Sequence, residues 1–500
     1  MKAGHLFKGF VFVSCAVMTG WLLRFEAFPT YFTAAAMGYR SLLTREALLL
    51  DNWTKITFND TPIGYSQTQL SVREEDPEET ALLQNRTVLQ IKVLGVPQKV
   101  TSTATVSLDQ AYRLQRFDFL LHSRQYSANI KGKRSHGRMF DVEVRTGSGS
   151  NSLQVEIPDD AVIYSPMNEL AMSRLRPGQR MRIKTFDPIT LQTATVLVEA
   201  VRDEDLFVMG ETHPTTVLTM TYLGFTMRAW MNRQGRILRQ ETPLGWTIEA
   251  TDHADAMSLE FDADGMDDVI LANAVPLHGT VANQSNCKSM TVRMEGFHLE
   301  PELVTSYRQE VSNVEEGQVE LVLRKVPWPE ESLTIAELEG LYPEYRVSTP
   351  FVQSDHREIV KQARKIVGVE TDSLAASANI FDWVYGSVEK IPTVSLPSAL
   401  DVLHEKKGDC NEHTYLFVAL ARAAGIPAQI RIGLVYHQDA MYFHAWPSVY
   451  VGEWVEMDPT LGQQEVDVTH IALLEGEIDR QMELMKVIGR LSIHIVDKEY

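Results

Sequence analysis

Three cysteines in 500 residues are too few for a disulfide framework. Cys15 lies in an apolar N-terminal run, so Cys287 and Cys410 leave room for one bridge at most. No C-x-x-C pair marks a zinc site, and His404-Glu405 runs into Lys-Lys-Gly, which breaks the zincin pattern H-E-x-x-H. Neither a P-loop nor a dinucleotide fingerprint is present, so no metal or cofactor is expected. Positive charge is also scarce. Lys and Arg number 47 against 66 Asp and Glu, a formal net charge of -19, and no basic cluster interrupts it. A nucleic-acid partner needs a basic face and is therefore excluded. No second apolar run of membrane-span length follows the N-terminal one.

That first run extends from Gly9 to Leu23, behind Lys2 and Lys8 and closed by Arg24 and Glu26. It is short for a span of about 20 residues and long for the core of a signal peptide. The nearest cleavage-like site, Ala34-Ala35-Ala36, lies far downstream, and Phe-Val-Ser before Cys15 does not make a lipoprotein site. Residues 9–24 are therefore expected to be an uncleaved transmembrane signal anchor. Residues 1–8 would form a cytoplasmic tip, with the bulk of the chain outside, periplasmic or extracellular. A cleaved signal and an apolar leading helix are the competing readings.

From about 50 to 260 the chain alternates with period two and turns often, as in "WTKITFNDTPIGYSQTQLSV" and "FTMRAWMNRQGRILRQE". This pattern predicts an antiparallel β-rich domain. "SPMNELAMSRLRPG" is a short helix candidate within it, and His122, His136 and His213 are scattered without partners in sequence. "DADGMDD", starting at Asp262, resembles half of a calcium loop but lacks the later glutamate and reads as an acidic linker. Residues 270–335 predict a small β-rich module with Cys287 as a structural thiol, expected to stay apart from Cys410. From 341 to 500 the pattern becomes helical. "DHREIVKQARKIV" and "SLAASANIFDWVYGSVEKI" carry apolar residues at i, i+3, i+4, with Ser354-Asp355 and Thr371-Asp372-Ser373 as caps.

The chemistry concentrates in "KKGDCNEHTYLFVALARAAGIPAQIRIG", Lys406 to Gly433. Asp409 predicts an N-cap, which puts Cys410 in the first turn of an apolar helix that Gly425 and Pro427 end. Unpaired backbone N–H groups there favour a thiolate and can hold an oxyanion. Asp409 opposes the thiolate electrostatically, so a histidine partner is needed. The strands of "YFHAWPSVYVGEWVEMDPT" supply one. With a loop at Tyr450–Gly452, His444 and Asp458 fall opposite each other, where Asp458 can orient the imidazole that takes the thiol proton. His413, on the cysteine's own helix at i+3, has poor geometry for that task and reads as a supporting residue. Trp446 and Trp454 read as packing of the hairpin.

Gly408-Asp409-Cys410 opening a helix, "ALARAAGIPAQIRIG", His444-Ala445-Trp446 and Trp454 to Pro459 together resemble the transglutaminase-like superfamily. The resemblance covers roughly Tyr345 to the C-terminus. It implies a C-terminal papain-like α+β transglutaminase core at 341–500; with the readings above, the chain is expected to be α+β, that core preceded by antiparallel β-rich domains and an N-terminal membrane helix. It also implies a Cys410, His444, Asp458 triad performing thiol acyl transfer on amide or peptide bonds, by crosslinking, deamidation or hydrolysis, on a protein or peptide substrate. The family's second oxyanion donor, upstream of the cysteine, has no assigned residue here; Trp383 reads as helix core. The alternative is a catalytically silent binding or scaffold protein at the cell envelope. No sequence pattern assigns an oligomeric state.

Overall fold

The structure is a computed structural model describing residues 34–35, 38–42, 50–72, 79–124, 126–147, 149–163, 175–261, 265–296, 305–315 and 317–500. The proposed anchor at 9–24 lies outside these residues, as does most of the helix candidate in "SPMNELAMSRLRPG". Among the described residues no helix is long and apolar enough to cross a membrane.

The chain is β-rich, and its first half is one sheet, an antiparallel meander except that Ala34–Ala35 and Ala161–Ile163 pair parallel with Arg180–Asp187. One arm runs from Leu50–Phe58 strand by strand to Gly149–Glu156, and the other from Arg180–Asp187 to Trp246–Thr251. The arms join where Trp246–Thr251 pairs with Leu50–Phe58, Ile248 opposite Ile56. Burial alternates along strands such as Met139–Thr146, as the period-two pattern requires. Several turns have two consecutive positive-φ residues, including Asn59-Asp60, Leu94-Gly95 and Met209-Gly210, the backbone that matches strand twist in two-residue hairpins.

The second sheet holds the site. Its order is Gln309–Glu315, Gln318–Arg324, Ser289–Glu295, Ser492–Glu499, Val275–His278, Ala440–Tyr450, Ala428–His437 and Ile471–Glu475. The strands at 270–335 therefore do not form a module of their own. Ser289–Glu295 pairs with the C-terminal strand Ser492–Glu499, and Val275 pairs with Met441. The alternating segment looked self-contained because strand pairing over such distances leaves no local signal.

Helices α1 (Arg357–Val367), α2 (Ser373–Ser387) and α3 (Ala399–Glu405) pack around α4 (Cys410–Ala423), which lies against the strands of this sheet. His356 caps α1, one position beyond the expected Ser354-Asp355, and Asp372 caps α2 by accepting from Ala375 N–H. α4 is the central helix, buried from Glu412 to Ala421 against α1, α2, α3 and the strands. The meander meets this unit at its terminal hairpin and one inner strand: Thr146 donates to Ser398 at 3.2 Å, Asn151 of the edge strand to the Pro350 carbonyl at 3.0 Å, and Gln98 to the Pro392 carbonyl at 3.3 Å. Covering the edge in this way also removes it as a site of unwanted strand pairing.

Candidate active site

The start of α4 is fixed by a reciprocal cap. Asp409 accepts from the Asn411 N–H at 3.1 Å, while Glu412 accepts from the Asp409 N–H at 2.9 Å. Gly408 is required here: its φ is +151°, and a Cβ would lie 2.2 Å from the Glu412 Cβ. Burial and the neighbouring Glu412 hold the Asp409 carboxyl well above the usual carboxylate range.

One turn further on, the Thr414 hydroxyl donates to the Ala445 carbonyl at 3.0 Å and locks α4 to the strand that carries His444. The Cys410 thiol thereby meets the His444 side chain and the Ala445 backbone N–H. Burial, with Asp409 adding to it, outweighs the help that His444 and the Ala445 N–H give the thiolate, so the Cys410 thiol is held above its ordinary value. The other face of the imidazole is engaged: His444 Nε2 donates to Asp458 Oδ2 at 2.7 Å. This leaves Nδ1 for the sulfur. Burial alone would favour neutral imidazole, but the Asp458 carboxylate and the Cys410 sulfur outweigh it and raise the pKa to about 9.

The register that brings His444 to Asp458 differs from the one expected. The loop is Val451–Glu453, so that Tyr450 pairs with Trp454 and Ser448 with Glu456. The ladder stops because Pro447 has no N–H; only its carbonyl continues, accepting from Met457 at 3.0 Å. Asp458 lies just past the strand, bridged to Gln463. A two-residue offset keeps side-chain parity, so the contact survives a shift that one residue would have destroyed. Across the sheet from His444 stands Gly433, where a Cβ would come within 1.9 Å of the Ile471 carbonyl oxygen.

Asp458 is completely buried and saturated with donors. Oδ1 accepts from Thr460 and Leu461 N–H at 2.8 and 3.0 Å, and Oδ2 from His444 and from His470 Nε2, the latter at 3.0 Å. Burial opposes its charge, yet the two imidazoles hold it far below the usual carboxylate range. His444, Asp458 and His470 lie close enough together to suggest a metal site. Their 2.7 and 3.0 Å contacts are hydrogen-bond spacings, shorter than the separation of about 3.3 Å between ligands of a tetrahedral zinc ion.

A second buried layer supports the first. Arg308 bonds Glu456 through Nε at 3.1 Å, the Asp467 carbonyl at 3.3 Å and the His470 carbonyl at 2.6 Å. Glu456 also accepts from the Trp446 indole at 2.9 Å, and that ring stacks on His444 at 6.0 Å between centroids. His413 Nδ1 contacts the Asp409 carbonyl at 2.7 Å, and burial lowers its pKa; it braces the helix start. Trp454 packs with Tyr342, Tyr345 and Tyr450, and Trp383 packs on the core with Lys406 over its ring. Cys287 is a buried free thiol donating to the Ser289 carbonyl, and Cys410 is free as well. Sequence reasoning missed His470, Asp467 and Arg308. "DVTH" before the strand at Ile471 carried a weak signal for the first two; nothing local marked Arg308.

Residues 360–459 match the sequence model of the Transglutaminase-like superfamily. An uncharacterized protein of Haemophilus influenzae is 38% identical over 99 residues, covering 18% of this chain and 26% of that protein. One of Mycobacterium leprae is 30% identical over 97 residues, covering 17% and 34%. The chain thus spans only a quarter to a third of the length of these curated relatives. A Cytophaga hutchinsonii structure, named provisionally as a cysteine protease, is 20% identical with a TM-score of 0.29, covering 43% of this chain and 90% of that one. The periplasmic domain of TgpA from Pseudomonas aeruginosa, bound to ethylmercury, is 13% identical with a TM-score of 0.22, covering 36% and 92%. The segment from 360 to 459, which contains Cys410, His444 and Asp458, is a transglutaminase-like superfamily domain.

Proposed function

We propose that this chain is a cysteine acyl-transfer enzyme acting on amide or peptide bonds of a protein or peptide substrate. Cys410 is the nucleophile, His444 the general base and acid, and Asp458 the residue that orients His444. The observation that supports this reading is the unbroken line from thiol to imidazole to buried carboxylate at the first turn of α4. The Cys410 sulfur attacks the amide carbon while its proton passes to His444 Nδ1. Collapse of the tetrahedral intermediate breaks the C–N bond, and the departing amine takes that proton, leaving a thioester on Cys410. Water or a primary amine then attacks the thioester, giving up a proton to His444. The Cys410 thiolate leaves and regains that proton. Water completes hydrolysis or deamidation, and an amine completes a crosslink. N–H groups of the first turn of α4 face the developing oxyanion. We further place the protein on a membrane through residues 9–24, with the catalytic unit outside the cytoplasm.

Turnover of amide donors by the full-length protein, with and without a primary amine, tests the reading. Cys410→Ser abolishes turnover and His444→Ala nearly does, whereas Asp458→Ala loses less. Turnover retained by Cys410→Ser overturns it.

A further inference from the structure

His470 is not one of the three residues that the proposed reaction uses, yet it is wholly buried against the same carboxylate. Its Nε2 lies 3.0 Å from Asp458 Oδ2 and its Nδ1 lies 3.4 Å from Asp467 Oδ1. Both ring nitrogens therefore face carboxylate oxygens. A neutral tautomer would aim a lone pair at one of them, so the surroundings select the doubly protonated imidazolium. Asp467 cannot turn away: Oδ1 also accepts from Thr469 N–H and hydroxyl at 2.8 and 2.6 Å, and Oδ2 from Gln463 at 2.9 Å. Gln463 is itself bonded through its backbone to Asp458. Arg308 grips the carbonyls of both His470 and Asp467, and the Trp446 ring stands edge-on to His470 at 5.2 Å.

We propose that His470 is a positioning residue of the acyl-transfer reaction: it pins Asp458 and offsets the carboxylate's charge at His444, and so sets the pH range in which Cys410 and His444 share their proton. This role rests on the reading given under Proposed function. The other charged groups around the pair are Asp409 and Cys410 on α4, Asp458 and Asp467 in the loop, and the Arg308–Glu456 ion pair beneath them. Within this set His470 balances Asp467. Removing its charge leaves the cluster one unit more negative, which raises the proton affinity of both His444 and Cys410. The two imidazole centroids are 6.1 Å apart. At an effective dielectric of about 20, a unit charge at that distance shifts a titration by on the order of one to two pH units.

His470→Gln tests the role, because the amide can still donate to Asp458 but carries no charge. The pH profiles of Cys410 alkylation by iodoacetamide, with the adduct located by mass spectrometry, and of turnover are compared with wild type in the full-length protein. Both limbs are expected to move to higher pH by about one to two units. A merely structural role lowers rates at every pH and leaves the limbs in place, which overturns the proposal. Should the variant fail to fold, ring-¹⁵N-labelled wild type decides: His470 is expected to hold protons on both nitrogens at pH 7.5, and a single protonated nitrogen overturns the role. A wild-type Cys410 that alkylates like a free cysteine overturns the acyl-transfer reading and this role with it. A reactive wild-type thiol whose profile His470→Gln leaves unmoved overturns this role alone.

Discussion

Arg308→Leu removes a buried cation that ties the segment before residue 341 to the floor of the site. Arg308 and Glu456 have side-chain exposures of 2% and 1%, and their contact is 3.1 Å. Deleting one member of a buried ion pair costs about 3–5 kcal/mol, because the remaining charge is stranded. The Asp467 and His470 carbonyls lose their guanidinium donor as well, at about 1 kcal/mol or more each. Trp446 and nearby Arg431 still favour the Glu456 carboxylate, which keeps the expected total near the lower sum, about 4–6 kcal/mol. That is a large share of the 5–15 kcal/mol typical of a domain. Urea unfolding followed by tryptophan fluorescence reads the loss, since Trp446 is fully buried beside the pair. Arg308→Leu combined with Glu456→Gln is expected to recover part of it, as a double-mutant cycle requires of coupled groups. A single-variant loss below about 1 kcal/mol with Cys410 reactivity intact would refute the claim that Arg308 holds the site together.

Three further outcomes are expected. Gly433→Ala forces a Cβ into the Ile471 carbonyl and is expected to destabilise by about 3 kcal/mol, read as a lower urea midpoint; an unchanged midpoint contradicts the close approach. His444 and His470 both have pKa values raised from 6.5 to about 9. Groups raised on folding contribute stability that is complete below pH 6.5 and lost as pH rises through 9, so the unfolding free energy is expected to fall by up to about 1.4 kcal/mol per pH unit for each histidine across that window. A flat profile between these limits shows that the raised values are wrong. For the anchor, a reporter active only outside the cytoplasm and fused after residue 60 is expected to give signal; a silent one there, with a cytoplasmic reporter active, reverses the orientation.

The parts of the architecture legible in the sequence were those with local signatures. Period-two alternation marked the meander strands, and Asp409, Gly425 and Pro427 marked the ends of α4. Cys410, His444 and Asp458 were readable because each sits in its own short motif, and because side-chain parity tolerates a hairpin shift of two residues. What stayed hidden was long-range. Nothing near Ser289 indicates pairing with Ser492–Glu499, and nothing near Arg308 indicates a partner 148 residues away. His470 was passed over because a lone histidine at the head of an apolar strand has no distinguishing neighbour until the fold sets Asp458 beside it.

The most direct test of the account is the alkylation rate of Cys410 in the folded full-length protein near pH 6, measured in wild type and in His444→Ala. His444 favours the Cys410 thiolate against burial and Asp409, so the His444→Ala variant is expected to alkylate about tenfold or more slowly than wild type. Equal slow rates in the two proteins would mean that the thiol and the imidazole are packed together without being coupled, and the acyl-transfer reading would fall.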